Sequence, residues 1–252
     1  MAVGRTNASA AKGGVTPDDS RNPFLNGDIA FSAPWQVGYE VYDGVLYAEA
    51  IIITSGKLTI AKQYICDLWM IGGGAGSATM TDTYYNYRAG GGSGFTNLAL
   101  NQVLGVGEQA VTIGAAGANK SGRRESSYNT DIEGTKGGST SLLGISAGGG
   151  NNGTVRCRRG ESSPYNWTPG TGGSNGGKSS GNSTSSMSSR QDPGENGTPG
   201  AGKIMSRFWD ATKNTDYGRA NAAAAQGAGW GLSGAGYGAG GTSGALVIRI
   251  AI

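Results

Sequence analysis

The chain has 252 residues, of which 49 are glycine and only 15% are charged, and its formal net charge at pH 7 is +3. So small a charge excludes the basic stripe of a typical nucleic-acid-binding surface. The chain contains no histidine and only two cysteines, which excludes Ser–His and Cys–His nucleophile systems and metal sites built from Cys and His clusters. We therefore predict that the protein is not an enzyme, has no catalytic or metal site, uses no cofactor and binds no nucleic acid.

Two pairs of carboxylates are the remaining candidates for catalysis. Asp131 and Glu133 lie close in sequence, as do Asp192 and Glu195, and a pair of carboxylates is what a glycosidase requires. We favour the simpler interpretation, in which these are solvated charges on surface loops.

Residues 1–35 are predicted to form an N-terminal arm. Residues 1–22 are small and polar with no alternating pattern, and two interpretations stay open for them: a frayed terminus, or a segment that becomes ordered on a partner. No stretch has the apolar core of a signal peptide or the roughly 18 apolar residues of a membrane-spanning helix. We expect a protein that is assembled in the cytoplasm without a signal peptide.

An all-β fold is predicted for residues 36–252. Asp43-Gly44 is typical of the two-residue turn of a β-hairpin, and the alternation in residues 57–60 places Leu58 and Ile60 on one buried face. Residues 66–71 are apolar on both faces, which indicates an inner strand. Because residues 245–252 are the only comparably apolar run later in the chain, we expect a β-sandwich closed by pairing of the N-terminal and C-terminal strands.

Glycine is concentrated after residue 71, where 42 of the 49 are found. Glycine is costly to order, and two interpretations are open: flexible loops, or extended rods of the polyproline II type that pack side by side through backbone hydrogen bonds. Rods would be formed by the Gly-Gly-Gly runs at 72–74, 90–92 and 148–150 and by Gly240-Gly241. The polar insertion at 151–201 is predicted to be a long surface loop.

Aromatic residues in the glycine-rich region supply a candidate binding site. Tyr and Trp rings on Gly-, Ser- and Asn-rich segments offer contact area at a low cost in conformational entropy, as in antibody paratopes. The alternative is that these rings cover glycine backbone and supply the missing core. We predict exposure and receptor contact for six of them: Tyr84, Tyr85, Tyr87, Tyr128, Tyr165 and Trp167.

An ordered set of short motifs runs through residues 50–252. In chain order the motifs are Thr54-Ser55-Gly56-Lys57-Leu58-Thr59-Ile60, Cys66 to Gly74, Val111-Thr112-Ile113-Gly114, Gly137-Gly138-Ser139-Thr140-Ser141, Ala147 to Gly150, and Gly244-Ala245-Leu246-Val247-Ile248-Arg249. This order resembles the glycine-rich domain found in tail-fibre and receptor-binding (adhesin) proteins of bacteriophages and prophages. The insertion at 151–201 departs from the pattern.

The resemblance implies a protein of the virion tail that attaches to a host. It implies that the arm, residues 1–35, binds a tail or baseplate protein, and that the loops of residues 36–252 face a bacterial surface polysaccharide or an outer protein. A homotrimer is expected on the same ground. The alternative is a structural or decoration protein of the virion that binds nothing on the host, for which buried aromatic rings are expected.

Overall fold

The computed structural model describes residues 19–42, 44–81, 85–124, 129–157, 166–168, 170–172, 178–182, 191–192 and 243–252. Within these ranges the chain is built of β-strands and one 3₁₀ turn, η1 (Asp19–Arg21), which confirms the all-β prediction. In chain order the strands are β1 (Ile29–Phe31), β2 (Gln36–Tyr42), β3 (Val45–Ile52), β4 (Gly56–Ile60), β5 (Tyr64–Ile71), β6 (Ala78–Thr81), β7 (Tyr85–Ala89), β8 (Thr96–Leu104), β9 (Gly107–Val111), β10 (Lys120–Arg123), β11 (Thr130–Glu133), β12 (Thr140–Leu142), β13 (Ile145–Ala147), β14 (Thr154–Cys157), β15 (Asn166–Thr168), β16 (Lys178–Asn182), β17 (Gln191–Asp192) and β18 (Ala245–Ala251). In the part of the chain that the structure describes, no helix is long and apolar enough to cross a lipid bilayer.

A five-stranded antiparallel sheet forms one layer of a β-sandwich. Its strand order is β2-β3-β18-β5-β8, so the last strand of the chain lies between two strands from its first third. Ile248 is the register partner of both Ala50 and Leu68. The predicted pairing of the C-terminal run with the strand that ends at Ile71 is confirmed, as is the inner position of that strand.

The second layer of the sandwich is the sheet β1-β4-β9 together with the β12-β13 hairpin. The largest core cluster contains residues from both layers, including Leu58 and Ile60 of β4, as predicted, and Leu68 and Met70 of β5. A separate cluster around Trp69 occupies the opposite face of the five-stranded sheet. We call this sandwich, formed by β1–β5, β8, β9, β12, β13 and β18, the base.

The described part of the predicted arm is packed on the base. Asn22, Phe24 and Ile29 are buried, and the Phe24 ring meets the Trp35 ring edge to face at a centroid distance of 5.5 Å. These contacts bury apolar surface, so Phe24 and Ile29 belong to the sandwich core, whereas Leu25 and Ala30 of the same segment are exposed. Residues 1–18 and most of the insertion at 151–201 lie outside the described residues.

Five extended segments leave or enter the base and a sixth packs beside two of them, and none carries a strand or helix of its own. We call them rod 1 (72–77), rod 2 (90–95), rod 3 (113–119), rod 4 (134–139), rod 5 (148–153) and rod 6 (170–172). Rod 1 continues β5, rod 3 continues β9 and rod 5 continues β13, whereas rods 2 and 4 lead back into β8 and β12.

Hydrogen bonds between the rods repeat every three residues. The amides of Gly72 and Ala75 donate to rod 2, and those of Gly73 and Gly76 donate to rod 4. The carbonyls of Gly73 and Gly76 accept from rod 5, and rod 3 with its continuation into β10 donates to the carbonyls one residue further along. Three residues per turn is the period of the polyproline II helix, whose hydrogen bonds are made between chains. The rod interpretation, and not that of flexible loops, therefore describes 72–74, 90–92 and 148–150; Gly240-Gly241 lies outside the described residues.

Close packing of the rods requires glycine at their contact faces. An added Cβ at Gly73 would lie 2.1 Å from the carbonyl oxygen of Ala115 in rod 3, which is far inside van der Waals contact. Glycines with a neighbouring backbone carbonyl at similarly close range occur in pairs three residues apart: Gly73 and Gly76, Gly91 and Gly94, Gly114 and Gly117, Gly134 and Gly137, Gly150 and Gly153. One face of each rod thus meets backbone on every turn.

The rods end in a second, smaller β layer. It contains the five-stranded sheet β10-β6-β7-β16-β17 and the three-stranded sheet β11-β14-β15. Between them lies a third cluster, formed by Ala78, Met80, Ala89, Ile132, Val155 and Cys157. We call this layer the distal cap. The glycine-rich body predicted from the sequence therefore consists of two parts: the rod bundle, and the distal cap, which the rods connect to the base.

Candidate binding surface at the distal cap

The rods alternate in direction, so the chain extends away from the base three times. We call each of these outward parts an excursion, and all three reach the same end of the rod bundle. Rod 1 runs parallel to rods 3 and 5 and antiparallel to rods 2 and 4, as the order of their hydrogen bonds shows. The chain therefore leaves the base three times and turns each time at the far side of the bundle. The described strands within residues 78–89, 120–133 and 154–168 lie at this end and associate in the distal cap: β10 pairs with β6, and β14 and β15 contact β7.

Three of the six predicted receptor-contacting residues, Tyr85, Tyr87 and Trp167, lie in described strands of the cap. Tyr85 is the first residue of β7 and Trp167 is the middle residue of β15. Tyr84, Tyr128 and Tyr165 lie outside the described residues, although each is close in sequence to a described strand of the cap. Tyr85 and Trp167, which are 82 residues apart in the sequence, are thus brought to the same end of the molecule.

Tyr87 is the candidate whose side chain the structure describes, and it lies on the inner face of the cap. It is half-buried and packs against the third core cluster. Tyr87 is also the register partner of the buried Met80 of β6, and residues directly opposite in an antiparallel pair share a face. The ring of Tyr87 therefore belongs to the side on which the cap is packed.

On β6 and β10, the outer face of the cap's five-stranded sheet carries polar positions that the sequence analysis did not select. Along β6 and β10, Met80 is buried in the cluster, and an added Cβ at Gly122 would lie 2.6 Å from the Ile132 side chain. These two positions therefore point inward. Their neighbours face outward, and Thr81, Ser121 and Arg123 are exposed. The signal available in the sequence was the polar alternation around Met80, which is too short to be distinguished from a loop.

Charges on the other sheet of the cap are paired. The Arg156 guanidinium donates to a Glu133 carboxylate oxygen at 3.0 Å, with both side chains close to half exposed. Asp131 lies opposite Arg156 in the register of β11 and β14. Of the second carboxylate pair, Asp192 lies opposite Lys178 in the β16-β17 register, and Glu195 lies outside the described residues.

Among the described residues, two groups have clearly shifted pKa values, and both belong to the base. Burial, reinforced by a hydrogen bond donated to Asp28, raises the pKa of Tyr64 to about 12. Burial, with a smaller contribution from the neighbouring Asp67 charge, also raises the pKa of the Cys66 thiol to about 12. A thiol held protonated in a core is a poor nucleophile, so the position of Cys66 is structural. Among the described residues, no group of three or more His, Cys, Asp and Glu is arranged to hold a metal ion.

Comparison with known proteins gives one result. Residues 53–248 match a family model described as a glycine-rich domain. This range begins at the end of β3 and extends into β18, so it includes the rods, the cap and most of the base. No curated protein matches the chain.

Proposed function

We propose that this chain, which belongs to the glycine-rich domain family, is an adhesin that binds a host cell surface through its distal cap. In this proposal it is a tail-fibre or tail-tip protein of a bacteriophage, located in the virion tail. The arm, residues 1–35, binds a tail or baseplate protein, and the cap and its loops bind a bacterial surface polysaccharide or outer protein. The virion context and a homotrimeric state rest on the resemblance of the sequence motifs.

One observation carries the proposal: three excursions of the chain meet at the end of the rod bundle opposite the base. Loops on a rigid scaffold are the usual place for binding residues, because the scaffold holds them in position while their sequences vary. The rods provide such a scaffold, since their backbone hydrogen bonds do not depend on the sequence of the turns they carry. Fixing the strands from which the loops extend also lowers the entropy lost on binding.

The test is binding of the purified protein to host cells, with a variant carrying Tyr84→Ala, Tyr128→Ala and Tyr165→Ala. The three changes remove one ring from each excursion, and we expect at least a tenfold loss of cell binding with an unchanged circular dichroism spectrum. The matched control is Ile65→Ala with Val106→Ala, since these apolar side chains are 52% and 65% exposed on the base. Equal binding by the triple variant and the wild type would contradict the assignment of the rings.

A structural protein of the virion is the second candidate, and the packing of Tyr87 against the third core cluster favours it. A structural protein of this kind buries its aromatic rings in its own core and makes no contact with the host. It predicts that the wild type is incorporated into particles yet does not bind host cells. That pair of results would replace the adhesin proposal.

A further inference from the structure

β10 is an edge strand of the cap's five-stranded sheet, and its backbone is open on the side away from β6. It is first in the strand order and pairs with β6 in parallel. The amides of Lys120 and Arg124 donate hydrogen bonds to the segment that contains β6. Because alternate residues of a parallel strand direct their backbone groups to the same side, the N–H and C=O groups of Ser121 and Arg123 point to the open edge.

Nothing in the described part of the chain covers this edge. The outward backbone groups of Ser121 and Arg123 form no hydrogen bond with a described residue, and both residues are exposed. The nearby strand β11 lies under the sheet and not beside it, since an added Cβ at Gly122 would lie 2.6 Å from the Ile132 side chain. The edge therefore offers solvent one donor and one acceptor from each of two residues.

Positive charge accompanies these backbone groups. Lys120 and Arg123 are exposed, and neither forms an ion pair with a described residue. The neighbouring strand β6 has no carboxylate, and Glu133 of the other cap sheet is paired with Arg156. Like charges oppose the pairing of two such edges from two copies of the chain, whereas an acidic strand is attracted to them.

We propose that the open edge of β10 binds an extended acidic segment of a bacterial outer protein, which adds to the cap sheet as a further strand. This inference rests on the proposed function, for which it selects an outer protein as the ligand. When a strand adds to a sheet edge, main-chain hydrogen bonds supply the affinity and side chains supply the specificity. Here Lys120 and Arg123 select acidic side chains.

The spacing of the edge groups selects a polypeptide. Ser121 and Arg123 are two positions apart in an extended strand, so their donors and acceptors repeat about every 6.6 Å. An extended polypeptide presents N–H and C=O groups at the same repeat. A small anion has no donor for the two carbonyls, and a polysaccharide has no alternating amide donors and acceptors at this interval.

The experiment is equilibrium binding of the full-length protein to a short synthetic peptide of alternating valine and glutamate with blocked ends. Two further peptides are the controls: one with lysine in place of glutamate, and one with the acidic sequence and N-methylated amides. We expect the acidic peptide to bind at least about tenfold more tightly than either control, because one lacks the complementary charge and the other lacks the backbone donors. Equal affinity for the acidic and the N-methylated peptide would overturn the inference.

Substitutions at Ser121 test the same hydrogen bond from the side of the protein. Ser121→Pro removes an outward N–H that takes no part in the pairing with β6, which is where an edge strand tolerates proline. It should weaken peptide binding about three- to tenfold. Ser121→Ala, the matched control, keeps the amide and should stay within about twofold of the wild type. Equal affinities for two variants with unchanged circular dichroism spectra would refute the edge, and if Ser121→Pro does not fold, the N-methylated peptide decides the question.

The charge is tested by Arg123→Ala, which should weaken binding of the acidic peptide about two- to fivefold. Lys57→Ala changes the net charge by the same amount on the base and should have no effect. Equal losses from the two variants would overturn the assignment of the charge to β10. Self-association of the wild type that Ser121→Pro abolishes would assign the edge to a second copy of the chain and also overturn the inference.

Binding to host cells separates this inference from the proposed function. Cells whose surface proteins have been removed by protease should no longer bind the protein. If they bind it as untreated cells do, the ligand is a polysaccharide, so the inference is wrong and the adhesin proposal stands. If the wild type binds no host cell while its affinity for the acidic peptide depends on the Ser121 amide, the edge is supported and the adhesin proposal fails.

Discussion

Replacing a single rod glycine by alanine should destabilise the whole protein. At Gly73 the added Cβ would lie 2.1 Å from the Ala115 carbonyl oxygen, and backbone atoms cannot rotate away as a side chain can. Reaching the shortest usual approach of about 3.0 Å requires rods 1 and 3 to separate by about 0.9 Å. The two hydrogen bonds that join rod 1 to rod 3 and to its continuation into β10, now 2.8 and 2.9 Å long, would then exceed 3.5 Å.

Two costs determine how far the free energy of unfolding falls. Losing two hydrogen bonds costs about 1 kcal/mol each, and overpacking a well-filled interior costs about 1–3 kcal/mol. We therefore expect Gly73→Ala to lower the free energy of unfolding by about 3–5 kcal/mol.

The matched control is another rod glycine, Gly148, where an added Cβ would meet only the Phe95 ring, at an ordinary contact distance of 3.6 Å. Alanine there should be neutral or should stabilise by up to about 1 kcal/mol, because it reduces the conformational entropy of the unfolded chain. Urea unfolding followed by circular dichroism measures both variants. If Gly73→Ala and Gly148→Ala differ by less than 1 kcal/mol, the close backbone packing of the rods is refuted.

Two further predictions concern the base. Arg249 is buried and donates a hydrogen bond to Glu49 at 2.6 Å. Arg249→Ala should lower the free energy of unfolding by about 3–5 kcal/mol, because it leaves a carboxylate unpaired in a buried site. Lys57→Ala, which breaks an exposed ion pair, should lower it by less than about 1 kcal/mol in the same denaturation assay. The folded protein retains the protons of Cys66 and Tyr64 to about pH 12, whereas the unfolded chain releases them from about pH 9 and 10. Stability should therefore be constant up to about pH 9 and fall as pH rises toward 12, because the folded state then binds more protons. Tyr64→Phe should reduce this slope above pH 10, and an unchanged slope would contradict the assignment.

Strands with strong local patterns were predictable from the sequence. Leu58 and Ile60 alternate with polar neighbours, and both enter the main core. The C-terminal run is apolar at nearly every position, as expected for a strand between two others, and Ile248 lies between Ala50 and Leu68. In these cases hydrophobic burial follows directly from the side chains, so the pattern carries the information.

The rods were only partly predictable. Three runs of consecutive glycines led to rods 1, 2 and 5, but rods 3 and 4 contain no such triplet and were missed. Their signal is spacing: Gly114 and Gly117, and Gly134 and Gly137, are three residues apart. A rod that turns once in three residues presents the same face at this interval, so a glycine pair with this spacing indicates a rod better than a glycine run does.

The sequence could offer candidate binding residues by residue type only. The sequence analysis selected six aromatic residues, and Tyr87, whose side chain the structure describes, is half-buried on the inner face of the cap. Short strands such as β6, with four residues, do not reveal from sequence which side faces inward. That assignment depends on Met80 packing with Ile132 and Val155, which are distant in the chain.

The amino-acid sequence by itself determined that this chain folds as a β protein around apolar strands near residues 66–71 and 245–251, and that glycine dominates what lies between. Those properties reside in single residues and their neighbours. Only the tertiary structure decided that the glycine segments pack as alternating rods and that three distant excursions meet in one cap. The reason is that glycine has no side chain to specify a partner, so the neighbours of each rod are chosen by backbone hydrogen bonds between segments up to about 80 residues apart.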